Sequence, residues 1–105
     1  MLKEVLDEGY ALYLTDTTST GLDISGLDCS GRKFMADGAY FNDLKAVGTN
    51  LSNGSISDMT VFSGDLSSAM MKEMTGDNFM ALNAALTKTA GLVLDPQTDA
   101  NIRRT

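Results

Sequence analysis

The chain has 105 residues, a formal charge of −6 and 43% hydrophobic residues, enough for one small domain with a thin core. It contains no His and one cysteine, Cys29, which excludes an intrachain disulfide, Ser-His and Cys-His catalytic triads and the common zinc sites. Acidic charge repels phosphate backbones, so direct nucleic-acid binding is disfavoured and a protein partner with a basic surface is expected.

In chain order, residues 1–11 read as an N-terminal cap. Leu2, Val5 and Leu6 share one face of a short helix that ends at Gly9, a residue suited to the C′ position. This opening lacks the long apolar stretch of a signal peptide. No run approaches the roughly 20 apolar residues of a membrane span, so neither targeting nor membrane contact is expected.

From residue 12 a period of five sets in. Leu22-Asp23-Ile24-Ser25-Gly26 is followed at once by Leu27-Asp28-Cys29-Ser30-Gly31, and the frame extends back through Thr17 to Leu12 and forward through Arg32-Lys33-Phe34-Met35-Ala36. A slip of two residues at Asp37-Gly38 precedes a second run beginning at Ala39. The central residues are then Leu14, Ser19, Ile24, Cys29, Phe34, Phe41, Ala46, Leu51, Ile56, Val61, Leu66 and Met71, all apolar but Ser19. Two places after the later centres stand Asp43, Gly48, Asn53, Asp58, Ser63, Ser68 and Glu73, so inside and outside separate. Alternation within each unit also fits an ordinary antiparallel sheet, and local pattern does not separate the two. Asp37-Gly38 reads as a turn that bulges one corner, either a recognition loop or a simple defect in the repeat.

Residues 67–91 read as a helical cap. Asp77 suits an N-cap, Phe79, Leu82 and Leu86 fall at helical spacing, and Gly91 suits the end. Residues 67–75 also fit a last coil. Residues 92–105 read as an extended tail: Gly91-Leu92-Val93-Leu94-Asp95 is a short apolar strand-like run stopped by the only proline, Pro96, and the polar residues after it, ending Arg103-Arg104-Thr105, are expected to be mobile unless a partner holds them. The apolar surplus of this region leaves monomer and homodimer, the latter through the C-terminal region, as competing readings.

No segment carries a chemical signature. Cys29 falls on a repeat centre and reads as core rather than nucleophile. Gly31-Arg32-Lys33 lacks the spacing of a Walker loop, the carboxylates lack EF-hand spacing, and two Asn-X-Ser triplets at Asn50 and Asn53 are expected by chance in such a repeat. No catalytic residue, cofactor or metal is expected.

The units resemble those of the pentapeptide-repeat family: a small residue, Asp or Asn, Leu or Phe, then two mostly polar residues. The match runs from about residue 12 to 73. Bulky Leu12, Leu22, Leu27, Leu44 and Met59, charged Arg32 and polar Ser19 depart from it. The resemblance implies a mainly β fold, a short right-handed β-solenoid with repeats over 12–66, capped at both ends. It also implies a non-catalytic inhibitor or modulator in a bacterial or phage-infected cytoplasm, occupying a nucleic-acid-binding surface of a gyrase-, nuclease- or phage-defence-type target by mimicking DNA. Asp16, Asp23, Asp28, Asp43, Asp58, Asp65 and Glu73 occupy outward positions and are the expected partner-binding residues. The alternative is a structural or assembly module of a phage particle or larger complex.

Overall fold

The computed structural model describes residues 2–105. The chain winds into a mainly β solenoid of about four turns with a small helix near its C-terminus. In order, the elements are α1 (Leu2–Asp7), β1 (Leu12–Tyr13), β2 (Thr18–Thr20), β3 (Phe34–Met35), β4 (Tyr40–Lys45), β5 (Thr60–Asp65), β6 (Met70–Met71), β7 (Phe79–Leu82), β8 (Thr87–Lys88), β9 (Val93–Leu94), α2 (Pro96–Asn101) and β10 (Ile102–Arg104). Every pairing between these strands is parallel and joins neighbouring coils, with a lone antiparallel bridge between Ser57 and Phe79, which rules out an ordinary antiparallel sheet. No helix among the described residues is long and apolar enough to cross a membrane.

The corners explain the composition of the repeat. The carbonyl of a central residue accepts the N–H three residues on, as in Ile56 to Met59 at 3.2 Å and Leu66 to Ala69 at 3.1 Å. The residue between centre and next unit takes positive φ: Asp16 at 56°, Gly26 at 74°, Gly48 at 67°, Asn53 at 66° and Asp58 at 55°. A β-turn with positive φ at its third residue selects Gly, Asn or Asp there. The polar last place of the pentapeptide is therefore a backbone requirement before it is a surface.

The period is not interrupted where the sequence places the slip. Leu12 pairs with Phe34, Thr18 with Tyr40 and Asp28 with Asn50, a separation of 22 residues. Met35 pairs with Ser55, Tyr40 with Thr60 and Asn50 with Met70, a separation of 20. The two extra residues are thus Arg32-Lys33, with Arg32 at φ 68°. Asp37-Gly38 forms a regular corner, with Gly38 at φ 70° and Ala39 N–H bonded to the Ala36 carbonyl at 3.1 Å. Phe34 and Ala36 are both buried, so either frame satisfies the apolar pattern. Inter-coil pairing decides between them. The widened corner holds the N-terminal cap: Lys33 Nζ donates to the Leu6 carbonyl at 2.9 Å, and Leu6 is buried.

Side-chain volumes compensate in much of the second and third coils. In the second coil the inward pairs run Phe34 with Ala36, Ala39 with Phe41, Leu44 with Ala46 and Thr49 with Leu51, all buried. The third coil answers with Gly54 and Ile56, Met59 and Val61, Gly64 and Leu66, Ala69 and Met71. A large residue at either place is accepted where its mate is small, because the packed interior conserves total volume. Leu44, a bulky departure from the pentapeptide pattern, is tolerated in this way beside Ala46, whereas Leu22 and Met59 have large mates in Ile24 and Val61.

The helix expected over residues 67–91 does not form. Ser68 is a corner residue at φ 59°, Met70 pairs with Asn50, and β7 and β8 continue the coil. Asp77 caps no helix. The third coil presents carbonyls and N–H groups along its rim, and this segment pairs them: Ala81 N–H to Met59 O at 2.9 Å, Leu66 N–H to Lys88 O at 2.8 Å. A helix would satisfy only its own backbone and leave that rim open. Phe79, Met80 and Leu82 are buried while Leu86 is 50% exposed, so the helical stripe is not what packs.

The strand-like run before Pro96 forms β9, but the residues after it are not a mobile tail. β9 pairs with β6, α2 follows, and β10 returns to pair with β7. Asp95 caps α2 by accepting the Thr98 N–H at 3.0 Å, with Pro96 in the first turn and Thr98 buried. The same Asp95 carboxylate accepts the Glu73 N–H at 3.0 Å, tying the helix to the preceding coil.

Candidate partner-binding surface

The expected acidic residues are distributed by the coil register over several faces. Asp23 and Asp65 belong to one column, in which Asp23 neighbours Lys45, Lys45 neighbours Asp65 and Asp65 neighbours Lys88. This face is a ladder of alternating charge rather than an acidic stripe. Asp28 neighbours Asn50, which neighbours Met70. Asp43 stands at another corner, its N–H bonded to Ser63 Oγ at 3.0 Å. Glu73 accepts from Asn53 Nδ2 at 3.1 Å.

Three of these carboxylates also hold the backbone. Asp23 Oδ1 accepts the Ser25 N–H at 3.0 Å, Asp28 Oδ1 accepts the Ser30 N–H at 3.0 Å and Ser30 Oγ at 2.6 Å, and Asp65 Oδ1 accepts the Ser67 N–H at 2.9 Å. Each closes an Asx-turn into its corner. The hydrogen bonds hold all three carboxyls below their ordinary range: first the Ser25 backbone N–H for Asp23, and first the Ser30 and Ser67 side chains for Asp28 and Asp65. Their charge is retained, but an amide at the same place would preserve the turn, as Asn50 does for Ser52 at 3.1 Å.

The remaining two, Asp16 and Asp58, lie on one corner edge together with Asp37 and Asp77. Asp16 N–H bonds to the Asp37 carbonyl at 2.8 Å, Gly38 N–H to the Ser57 carbonyl at 2.7 Å, and Asp58 N–H reaches the carbonyls of Asp77 at 3.3 Å and Asn78 at 3.0 Å. Successive coils therefore contribute Thr15-Asp16, Asp37-Gly38, Ser57-Asp58 and Asp77-Asn78, with no cation among these positions. At the strand spacing of roughly 4.8 Å the edge runs about 14 Å. Asp37 is anchored, accepting Ser55 Oγ at 2.6 Å and the Ser57 N–H at 2.8 Å.

Asp37 and Asp77 are absent from the residues expected from sequence. The displaced slip assigned Asp37 to an irregular turn, and the helical reading assigned Asp77 to an N-cap. The signal that finds them is the five-residue frame restarted at Phe34, which puts Asp37 one place after a centre, in step with Thr15 and Ser57.

Chemistry is scarce elsewhere. Cys29 is fully buried, and burial, followed by the charge of Asp28, pushes its thiol up to about 11. That suits an inert core thiol rather than a nucleophile. Among the described residues, no three His, Cys, Asp or Glu side chains gather where they could hold a metal ion.

The fold and its edge define a small acidic β-solenoid with a corner edge to which each of four coils contributes one Asp. No family model, curated protein or solved structure matches the chain.

Proposed function

We propose that this chain is a non-catalytic binding protein of pentapeptide-repeat type that modulates its target by occupying a basic, nucleic-acid-binding surface. The observation that carries the reading is the corner edge of Asp16, Asp37, Asp58 and Asp77, a row of carboxylates at coil spacing without an interposed cation. The backbone staggers these charges between two adjacent turn positions, one Asp per coil, so a partner built to bind phosphates meets a preorganised acidic edge. Asp43 and Glu73 extend the acidic field onto neighbouring corners. Asp23, Asp28 and Asp65 contribute less, because they double as turn residues and two of them alternate with lysines. A gyrase, a nuclease or a phage-defence complex supplies the required basic surface.

A second reading, an assembly module, draws on the last coil. β8, β9 and β10 each pair on one side only, which leaves strand edges for docking onto a larger particle.

Salt separates the two. A pull-down from bacterial lysate at low and high salt compares the native chain with a variant carrying Asp16→Asn, Asp37→Asn, Asp58→Asn and Asp77→Asn. The proposal expects a nucleic-acid-binding protein that is released by salt, by duplex DNA and by the variant. Partners that the variant retains at high salt overturn it and favour edge docking.

A further inference from the structure

The two ends of the solenoid are closed differently. At the N-terminal end α1 lies over the first coil and buries Leu6. At the C-terminal end α2 closes only part of the last coil, and beside it lies a cavity of about 300 Å³. Its apolar wall is formed by Leu82, Leu92 and Leu94, the last two only partly buried. A repeat column that ends without a full cap leaves apolar surface for another group to cover.

Two charged side chains and one walled-off hydroxyl mark this cavity. Thr87 lines it and is 8% exposed, and its Oγ1 is a buried hydroxyl without a hydrogen-bond partner among the described residues. With almost no accessible surface, that oxygen lies behind the cavity wall, and other atoms of Thr87 face the space. Asp99 of α2 and Arg104 of β10 also line the cavity, joined by Nη2 to Oδ1 at 2.7 Å, with about half of each side chain in solvent. One guanidinium nitrogen is engaged there, and the planar fork carries further N–H donors.

We infer that this end of the solenoid binds the zwitterion of an aliphatic α-amino acid of about leucine size. The ligand carboxylate meets Arg104, its ammonium meets Asp99, and its side chain covers Leu82, Leu92 and Leu94. The paired charges decide the class of ligand. A simple carboxylate is drawn by Arg104 but repelled by Asp99 beside it, and a simple amine meets the reverse. A head group bearing both charges closes a four-membered ring of alternating sign without breaking the existing pair. The volume lies at the lower bound for small-molecule pockets and suits a ligand of this size. The inference stands apart from the acidic edge, which lies on another part of the coil, and neither depends on the other.

The test is a titration of the ¹⁵N-labelled full chain with L-leucine, followed by amide chemical shifts. Glycine, leucinamide and isocaproate serve as probes that lack the apolar tail, the carboxylate and the ammonium. Saturable shifts at Thr87, Leu92, Leu94, Asp99 and Arg104 are expected with leucine. Each probe should bind at least about tenfold more weakly, the loss expected for one charge-assisted hydrogen bond or one buried aliphatic group. Asp99→Asn and Arg104→Gln should abolish the shifts while the other amide signals stay in place. The probe series on the native chain decides the matter even if a variant loses its fold. Absence of shifts, shifts centred elsewhere, or equal binding of leucinamide or isocaproate overturns the inference. So do shifts at these residues that follow protein concentration without leucine, because a second copy then covers the end.

Discussion

Gly54 lies against Phe34 of the preceding coil so closely that a Cβ on Gly54 would stand 2.7 Å from the Phe34 carbonyl oxygen. The same Cβ would meet the Leu51 carbonyl at 3.0 Å. Both neighbours are backbone, which cannot swing aside as a side chain can. Gly54→Ala is therefore expected to destabilise the fold by about 1–3 kcal/mol, as overpacked cores do. Urea denaturation measures it as a lower midpoint at unchanged slope.

The corner column of Gly26, Gly48, Ser68 and Gly91 gives a pair of opposite expectations. Gly48 has φ 67° and open space around its Cβ position, so Gly48→Ala costs conformational strain alone, about 1 kcal/mol. Ser68 takes φ 59° in the next coil, and Ser68→Gly releases that strain. After the added entropy of the unfolded glycine, a gain of about 0.5 kcal/mol remains. Thermal melting of the two variants should move in opposite directions.

Lys33 holds α1 through the Leu6 carbonyl, a charged donor at a helix C-terminus. Lys33→Met is expected to loosen the cap without unfolding the coils. Amide hydrogen exchange should quicken over residues 3–10 while β4 and β5 keep their protection.

Acid stability follows from Asp23, Asp28, Asp65 and Asp95, whose carboxyls are held below their ordinary 3.8 by corner and cap hydrogen bonds. As pH falls the unfolded chain takes up these protons first. The stability they contribute is present above pH 3.8 and is lost as pH drops through the lower folded values. Replacing Asp23, Asp28 and Asp65 with Asn keeps the turns and should flatten the acid limb of a stability profile.

Cys29 should resist thiol reagents in the folded state, being buried with a thiol raised to about 11. Labelling with a chromogenic disulfide at neutral pH is expected to proceed at the rate at which the first coil opens around Cys29, and to become immediate in denaturant. Prompt labelling of the native chain would contradict the packing.

Much of the fold was legible in local chemistry. The column Ile24, Cys29, Phe41, Ala46, Leu51, Ile56, Val61, Leu66 and Met71 is buried throughout, because an inward side chain must be apolar whichever coil it belongs to. The short first helix was likewise readable from Leu6 and Gly9, whose φ is 92°. The acidic edge was only half readable. Asp16 and Asp58 followed from the frame, whereas Asp37 and Asp77 depended on knowing where the extra residues lie and whether residue 77 begins a helix.

The sequence alone determined the period, the inward column and the demand for left-handed corners, since each is a property of five consecutive residues. Tertiary structure alone decided the register between coils. Phe34 and Ala36 are interchangeable as centres until Phe34 must lie beside Leu12 on one side and Gly54 on the other. It also decided the C-terminal segment, where the spacing of Phe79, Leu82 and Leu86 suits a helix. The open rim of the third coil offers that segment a ladder of backbone hydrogen bonds, a partner that local pattern does not contain.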